Sequence, residues 1–175
     1  MKTKLFLALA LSLTATLSSA SEISIPKDLL ERHSKACPEF TSADRGEYMT
    51  KESYKLPKSE YGSEKTLFVL GCEMYAYNSR EAVYLVDSYG EISSVAVAEV
   101  DSNGSITATT DLMGTYFDLE TLTLSTYQKG RGMGDCGSSA TYKYDKYSSR
   151  FILTEARLKD SCDGGEDEWP IVYKK

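Results

Sequence analysis

The chain has 175 residues, with 26 acidic and 20 basic side chains, so its formal net charge at pH 7 is −6. An acidic balance of this size disfavours nucleic acids and anionic membranes as partners, because both carry negative charge. The negative charge would suit a cationic partner, but a simpler explanation is a charged surface that keeps the protein in solution.

The first residues have the pattern of a secretory signal peptide, 1–20. Lys2 and Lys4 precede an apolar run, and small residues precede the expected cleavage after Ala20. Cleavage there would leave 21–175 as a single domain in the periplasm or the medium, with a net charge of −8 after the loss of two lysines. The apolar run is shorter than the roughly 20 residues that cross a bilayer, so no membrane span is predicted.

All four cysteines lie beyond the predicted cleavage site, and in an oxidising compartment an even number of cysteines predicts disulfides. Four cysteines allow three pairings. We favour Cys37–Cys72 and Cys136–Cys162, each of which would close a loop of a few tens of residues. A zinc site is disfavoured because such sites use closely spaced cysteines, whereas the nearest two here are 26 positions apart.

One helix is predicted at about residues 26–37. Pro26 suits the first position of a helix. Leu30, His33 and Cys37 follow at the three- and four-residue spacing of one helical face. We expect that face to dock on a sheet and to bring Cys37 to it.

Residues 38–65 lack convincing periodicity and are expected to form a loop, with one edge strand around Tyr54. Over residues 66–175, short β-rich segments alternate with turn residues. TLFVLGCEM is nearly continuously apolar, as a central strand covered on both faces would be, and ISSVAVAEV is predicted as one strand. No helical pattern separates the strands. The predicted fold is mainly β, an antiparallel sandwich or curled sheet of about eight or nine strands with one N-terminal helix.

The segment KGRGMGDCGSS, residues 129–139, contains four glycines. It formally includes G-x-G-x-x-G, but a dinucleotide site needs a helix after the motif, and the following residues alternate as a strand. Two interpretations stay open. Either the backbone N–H groups and Arg131 bind an anion, or the glycines permit a bend and Arg131 pairs with Asp135. The second is favoured.

Residues for catalysis and metal binding are sparse. His33, the single histidine, is more simply a packed or surface residue than a base, and the many acids single out no carboxylate pair. The acidic segment CDGGEDEWP, residues 162–170, could hold calcium, although a solvated turn is favoured. No catalytic residue, metal site or cofactor is predicted.

Tyrosine is over-represented, with 13 tyrosines against five phenylalanines and one tryptophan. Two pairs of tyrosines lie two positions apart on single strand faces, where they could form an exposed platform for a partner. Packing between strands is the favoured alternative. The candidate binding residues are Arg131, Asp135, Tyr75, Tyr77, Asn78, Tyr142 and Tyr144.

Four segments carry a family resemblance: LFVLGCEMYAYNSREAVYLVD, FDLETLTLSTYQKGRGMGDCGSSATYKYD, RFILTEARLKDSC and EWPIVY. They are similar to the C-terminal region of exported bacterial proteins grouped as domain of unknown function 1176, whose hallmark K-G-R-G-hydrophobic-G-D-C-G matches residues 129–137. The chain departs from the family at 144–146, where tryptophan-aspartate-glycine is usual. The resemblance covers about 54–173 and implies export and the cysteine framework. It brings no established activity, catalytic residue or cofactor.

These observations favour a noncatalytic periplasmic or secreted binding module whose partner is an unknown protein, peptide or glycan. One alternative is a hydrolase that acts on an envelope polymer through carboxylates. Two others are an inhibitor of a cationic enzyme such as a lysozyme, and a purely structural component of the envelope.

Overall fold

A computed structural model describes residues 23–58, 62–101, 103–165 and 167–175. The predicted signal peptide and its cleavage site lie outside the described residues. Within the described ranges, no helix has the length and apolar character needed to cross a membrane.

The described residues form one α-helix, one 3-10 helix and twelve strands. The α-helix is α1 (Lys27–Ala36), and the 3-10 helix is Pro38–Thr41. The strands are β1 (Lys51–Leu56), β2 (Lys65–Met74), β3 (Ser79–Asp87), β4 (Ile92–Ser94), β5 (Val97–Val100), β6 (Ile106–Thr109), β7 (Leu112–Met113), β8 (Tyr116–Asp118), β9 (Thr123–Lys129), β10 (Gly137–Asp145), β11 (Arg150–Lys159) and β12 (Ile171–Lys174).

The strands pair antiparallel in two five-stranded sheets and one hairpin. In the first sheet β1, β2, β3 and β4 are neighbours in that order, and β7 pairs with the start of β3. The second sheet has the order β12-β11-β10-β9-β8, and β5 pairs with β6. The predicted mainly β, antiparallel fold with an N-terminal helix is confirmed, and β1 is the expected edge strand around Tyr54.

The described strands outnumber the eight or nine predicted because several have only two to four residues, too few to show an alternating pattern. ISSVAVAEV was predicted as one strand, and that prediction was wrong. The segment divides into β4 in the first sheet and β5 in the hairpin. The Val95 N–H still donates to the Val83 carbonyl of β3 at 2.8 Å, and the chain leaves the first sheet after this residue.

The main core lies between the inner faces of the two sheets. It contains side chains from β2 and β3 on one side and from β8 to β11 on the other. Its members include Leu67, Val69, Val83, Leu85, Phe117, Leu124, Tyr142, Tyr144, Phe151 and Leu153. Alternate residues of β2 face the opposite way and meet α1, so both faces of β2 are buried, as its apolar sequence predicted.

The helix docks through Leu29, His33 and Cys37 rather than through the predicted face with Leu30. Leu29 is 0% exposed and Leu30 is 37% exposed. Both leucines lie at a helical spacing from His33, so spacing alone could not choose between them. His33 is buried against the sheet and is therefore a packed residue.

Both predicted disulfides form. Cys37–Cys72 ties the end of α1 to β2, and Cys136–Cys162 ties the start of β10 to the segment that follows β11. The second disulfide therefore brings the acidic segment beside the glycine-rich loop.

Candidate functional site

The glycine-rich loop, residues 130–136, is a tight connection between β9 and β10. The Gly130 N–H donates to the Cys136 carbonyl at 2.8 Å, and Gly134 has a φ of 71°, which glycine reaches without strain. The loop is followed directly by β10, whereas a nucleotide loop opens a helix. It is the bend favoured from the sequence, and it delivers Cys136 to its disulfide.

Arg131 and Asp135 form an ion pair across this loop. The Arg131 Nε donates to Asp135 Oδ1 at 2.8 Å, and the Arg131 Nη2 donates to Oδ2 and, at 3.0 Å, to the Cys162 carbonyl. The Gly164 N–H also donates to Asp135, whose side chain is only 6% exposed. The Arg131 guanidinium holds the pKa of Asp135 well below its usual range. Both residues thus join the loop to residues 162–164.

Asn78 joins the same loop to the first sheet. Its side-chain amide donates to the Lys129 carbonyl at 2.9 Å, and its side-chain oxygen accepts from the Lys129 N–H at 2.9 Å. These two bonds imitate a strand pairing between the β2–β3 turn and the end of β9. Asn78 therefore positions the loop, and a direct role of Asn78 in binding stays a prediction.

The tyrosine pairs separate into one exposed and one buried pair. Tyr75 and Tyr77 are 49% and 48% exposed beside the glycine-rich loop. Tyr142 and Tyr144 are buried in the main core. The prediction that they belong to an exposed platform was wrong, and the alternative of packing between strands is correct for this pair. Burial raises the pKa of Tyr142 to about 12, and its hydroxyl donates to the Ala98 carbonyl. The β10 face that carries both tyrosines points inward.

Two aromatic residues that were not among the candidate binding residues are in contact beside the glycine-rich loop. The rings of Tyr127 and Trp169 are stacked, with centroids 4.9 Å apart and planes 8° from parallel. Tyr127 is 42% exposed. It follows the buried Leu124 at an odd spacing on β9, which indicates an outward side chain, but nothing in the sequence indicates that Trp169 is its partner.

The stacked rings lie in a depression that we call the loop cleft. It has a volume of about 570 Å³ and is lined by the glycine-rich loop and by residues that follow β11. Its floor is a cross-strand row in which Ser139 pairs with Tyr127 on β9 and with Arg157 on β11. The lining combines aromatic, apolar and polar side chains: Tyr127, Met133, Ser139, Arg157, Glu168 and Trp169.

A second depression lies on the other side of the glycine-rich loop, and we call it the tyrosine depression. It has a volume of about 340 Å³ and is lined by Met74, Tyr75, Tyr77, Tyr127 and other residues. Tyr127 lines both depressions. The loop adjoins both depressions, because Met133, Gly134 and Asp135 line the loop cleft and Gly132 lies beside the Tyr77 ring.

The charges around the loop cleft are largely paired within the protein. Arg157 donates from Nε to Glu155 at 2.7 Å and from Nη1 to Glu168 at 3.2 Å and to the Trp169 carbonyl at 3.3 Å. Lys159 pairs with Asp163 at 2.8 Å. Arg157 lowers the pKa of Glu155, so that carboxyl is charged at neutral pH. The cleft is polar without a large excess of either charge.

The acidic segment that could have held calcium folds back on its own groups. Asp163 accepts from the Gly165 N–H at 3.0 Å and pairs with Lys159, which lowers the pKa of Asp163. Across the described ranges, no group of three or more His, Cys, Asp or Glu side chains is placed to hold a metal ion.

Comparisons with known proteins give a family and a relative that resemble this chain. The family described as Protein of unknown function (DUF1176) matches residues 14–175. The Uncharacterized protein YpfG of Escherichia coli (strain K12) is 32% identical over 114 residues, which make up 63% of this chain and 32% of YpfG. The match therefore spans about a third of that relative's length. No solved structure matches the chain.

Proposed function

The chain belongs to this family of unknown function, and from the geometry of its surface we propose that it acts as an exported, noncatalytic binding module. The ligand surface is the loop cleft. The observation that carries the proposal is the Tyr127–Trp169 stack, which places two large rings on a partly exposed surface beside hydrogen-bonding groups.

The framework around the cleft supports binding by a preformed surface. The Cys136–Cys162 disulfide, the hydrogen bonds of Asp135 and the amide of Asn78 fix the glycine-rich loop on three sides. A surface held in this way loses little conformational entropy when a ligand binds, so more of the contact energy appears as affinity.

The cysteine pairing supports export. Two disulfides form in the described residues, and disulfides persist mainly in oxidising compartments. The predicted signal peptide points to the same route.

The carboxyl groups at the cleft are engaged in pairing within the protein. A general acid on a glycosidase-type site needs a raised pKa so that it stays protonated near neutral pH. In the part of the chain that the structure describes, every carboxyl group with a clearly shifted pKa has it lowered, Asp135, Glu155 and Asp163 at the cleft included. Such groups serve as hydrogen-bond acceptors and ion-pair partners.

The binding proposal can be tested with the fluorescence of Trp169, because it is the chain's single tryptophan. The chain from residue 21, with its disulfides intact, is titrated with fractions of a bacterial envelope extract. Tyr127→Leu removes the stacked ring and keeps the reporter. Tyr147→Leu removes a tyrosine that is 77% exposed in the β10–β11 turn, at the opposite end of β10, and serves as the matched control.

We expect one fraction to change Trp169 emission saturably in the wild type and in Tyr147→Leu, with affinity at least about tenfold weaker in Tyr127→Leu. If that fraction contains a polymer, the polymer should be recovered uncleaved after incubation with the protein. No response to any fraction would overturn the proposal. Cleavage of the polymer that disappears on substitution of one acid would replace it with the hydrolase alternative.

A further inference from the structure

We propose that the ligand is an extended, uncharged saccharide chain that crosses the glycine-rich loop and occupies the loop cleft and the tyrosine depression together. This inference rests on the proposed binding function and adds the class and shape of the ligand.

The two depressions are arranged for a polymer. They lie on either side of one loop, and Tyr127 lines both. A small molecule is usually enclosed by its pocket, whereas these two depressions are open and share the side chain of Tyr127. A chain of repeating units can fill both hollows with the same chemistry.

The composition of the loop suits a chain that passes over it. Gly130, Gly132 and Gly134 carry no side chains, so at three of the seven loop residues a ligand meets only backbone. A Cβ placed on Gly132 would lie 3.5 Å from the Tyr77 ring, so a longer side chain there would intrude on the tyrosine depression. Met133, at the middle of the loop, is 74% exposed and supplies an apolar side chain to the loop cleft.

The chemistry of the surface suits sugar rings. The exposed faces of Tyr127, Trp169, Tyr75 and Tyr77 carry the negative side of the ring quadrupole, which attracts the C–H faces of a pyranose. Hydroxyl, carboxylate and guanidinium groups in the cleft can bond sugar hydroxyls. The cleft's ion pairs are formed internally, and Asp167, which also lines the cleft, adds a negative charge. An anionic ligand would therefore be repelled, whereas an uncharged one would not.

An extended peptide fits this surface less well. Peptides that add to a sheet need an open strand edge, with free backbone N–H and C=O groups. The floor of the loop cleft is instead the outer face of β9, β10 and β11, which pair with one another at Tyr127, Ser139 and Arg157. Only side chains are available there, and they are aromatic and polar.

Defined oligosaccharides test the inference. The probes are the dimer and hexamer of β-1,4-linked N-acetylglucosamine and of β-1,4-linked glucose, titrated by calorimetry into the chain from residue 21. Trp169→Ala removes a ring of the loop cleft, Tyr77→Ala removes one of the tyrosine depression, and Tyr147→Ala is the control remote from both.

We expect at least one hexamer to bind about tenfold or more tighter than its dimer, because a second subsite joined to the first adds affinity through effective concentration. Trp169→Ala should weaken dimer and hexamer alike. Tyr77→Ala should lower the hexamer affinity toward that of the dimer and leave the dimer unchanged, with Tyr147→Ala matching the wild type throughout.

The outcomes separate the two proposals. If neither hexamer binds, or if Tyr77→Ala leaves the hexamer affinity unchanged, the inference of a saccharide across the loop is overturned. If in addition the Tyr127-dependent response to the envelope extract is abolished by protease treatment, the ligand is a peptide and the proposed binding function still stands. If neither hexamer binds and the extract also gives no Tyr127-dependent response, both proposals fail.

Discussion

One carboxylate oxygen of Asp135 accepts a hydrogen bond from the Gly164 N–H at 2.6 Å, which joins the glycine-rich loop to the segment after β11. The same carboxylate is held on both oxygens by Arg131. Asp135 is thus the centre of the polar contacts that fix one wall of the loop cleft, and it lies next to the disulfide through Cys136.

Asp135→Asn should lower the melting temperature by several degrees, because it removes the charge that Arg131 faces and replaces one acceptor with a donor. Asp111→Asn is the matched control: Asp111 also pairs with an arginine, Arg80, but is 67% exposed, and exposed pairs contribute little. Differential scanning calorimetry checks the comparison. Equal shifts in the two variants would contradict the role given to Asp135.

The same pair makes stability depend on acid pH. The pKa of Asp135 is lowered in the folded state, so its contribution is present above the unfolded pKa of about 3.9 and is lost as the pH falls below it. The wild type should therefore lose melting temperature more steeply than Asp135→Asn below about pH 4. Parallel curves would show that Asp135 does not account for the acid sensitivity.

His33 should give a second pH dependence near neutrality. Its Nε2–H donates to the Gly71 carbonyl at 2.9 Å and its Nδ1 accepts from the Tyr84 hydroxyl at 3.1 Å, an arrangement of the neutral ring. Burial lowers the pKa of His33, so below about pH 6.5 the unfolded chain takes up a proton that the folded chain does not.

Stability measured by urea unfolding should consequently fall as the pH is lowered from 7 toward 5, by up to about 1.4 kcal/mol per pH unit. His33 is the single histidine, so His33→Gln should remove this slope while lowering stability at pH 8 by about 1–3 kcal/mol through imperfect hydrogen bonding. A slope that persists in His33→Gln would assign it to another group.

Much of the fold could be predicted because it depends on local patterns. The apolar run of β2 indicated a strand buried on both faces, and the spacing of the cysteines favoured the pairing that forms. The helix face was misplaced by one residue because Leu29 and Leu30 are equally compatible with His33. The division of ISSVAVAEV could not be predicted from the sequence, since it depends on the pairing of β4 with β3 and of β5 with β6, and no turn residue marks the boundary.

The site was predictable only where its contacts are local. Arg131 and Asp135 lie four residues apart in a loop, and their pairing was favoured from that spacing. The Tyr127–Trp169 stack joins β9 to the segment after β11. Consecutive strands are neighbours in the second sheet, but the position of the Trp169 ring depends on the path of a segment without strand or helix periodicity.

Gly137 should tolerate substitution far less well than Gly90, although both have positive φ values, 140° and 86°. A Cβ at Gly137 would collide with the Gln128 carbonyl, whereas nothing lies within 4 Å of one at Gly90. Gly90→Ala should cost about 1–2 kcal/mol of unfolding free energy from backbone strain alone. Gly137→Ala should cost about 3 kcal/mol or more. Similar losses in urea unfolding would contradict the close approach of β10 to β9.

The two disulfides should differ in what they do to the site rather than in how much they stabilise the fold. Their sequence separations are 35 for Cys37–Cys72 and 26 for Cys136–Cys162, so the chain-entropy model gives each about 3.5–4 kcal/mol. Replacing either pair with serines should lower the free energy of unfolding by that amount.

Only the Cys136→Ser/Cys162→Ser variant should change the emission of Trp169 in the folded state. Cys162 connects the glycine-rich loop to the segment that carries Trp169, whereas Cys37 and Cys72 lie with α1 on the far face of the first sheet. Fluorescence spectra recorded well below the melting temperature of each variant separate this effect from unfolding. An unchanged spectrum in Cys136→Ser/Cys162→Ser would mean that the contacts of Asp135 suffice to hold the cleft wall, so the disulfide would then stabilise the fold without positioning the stacked rings.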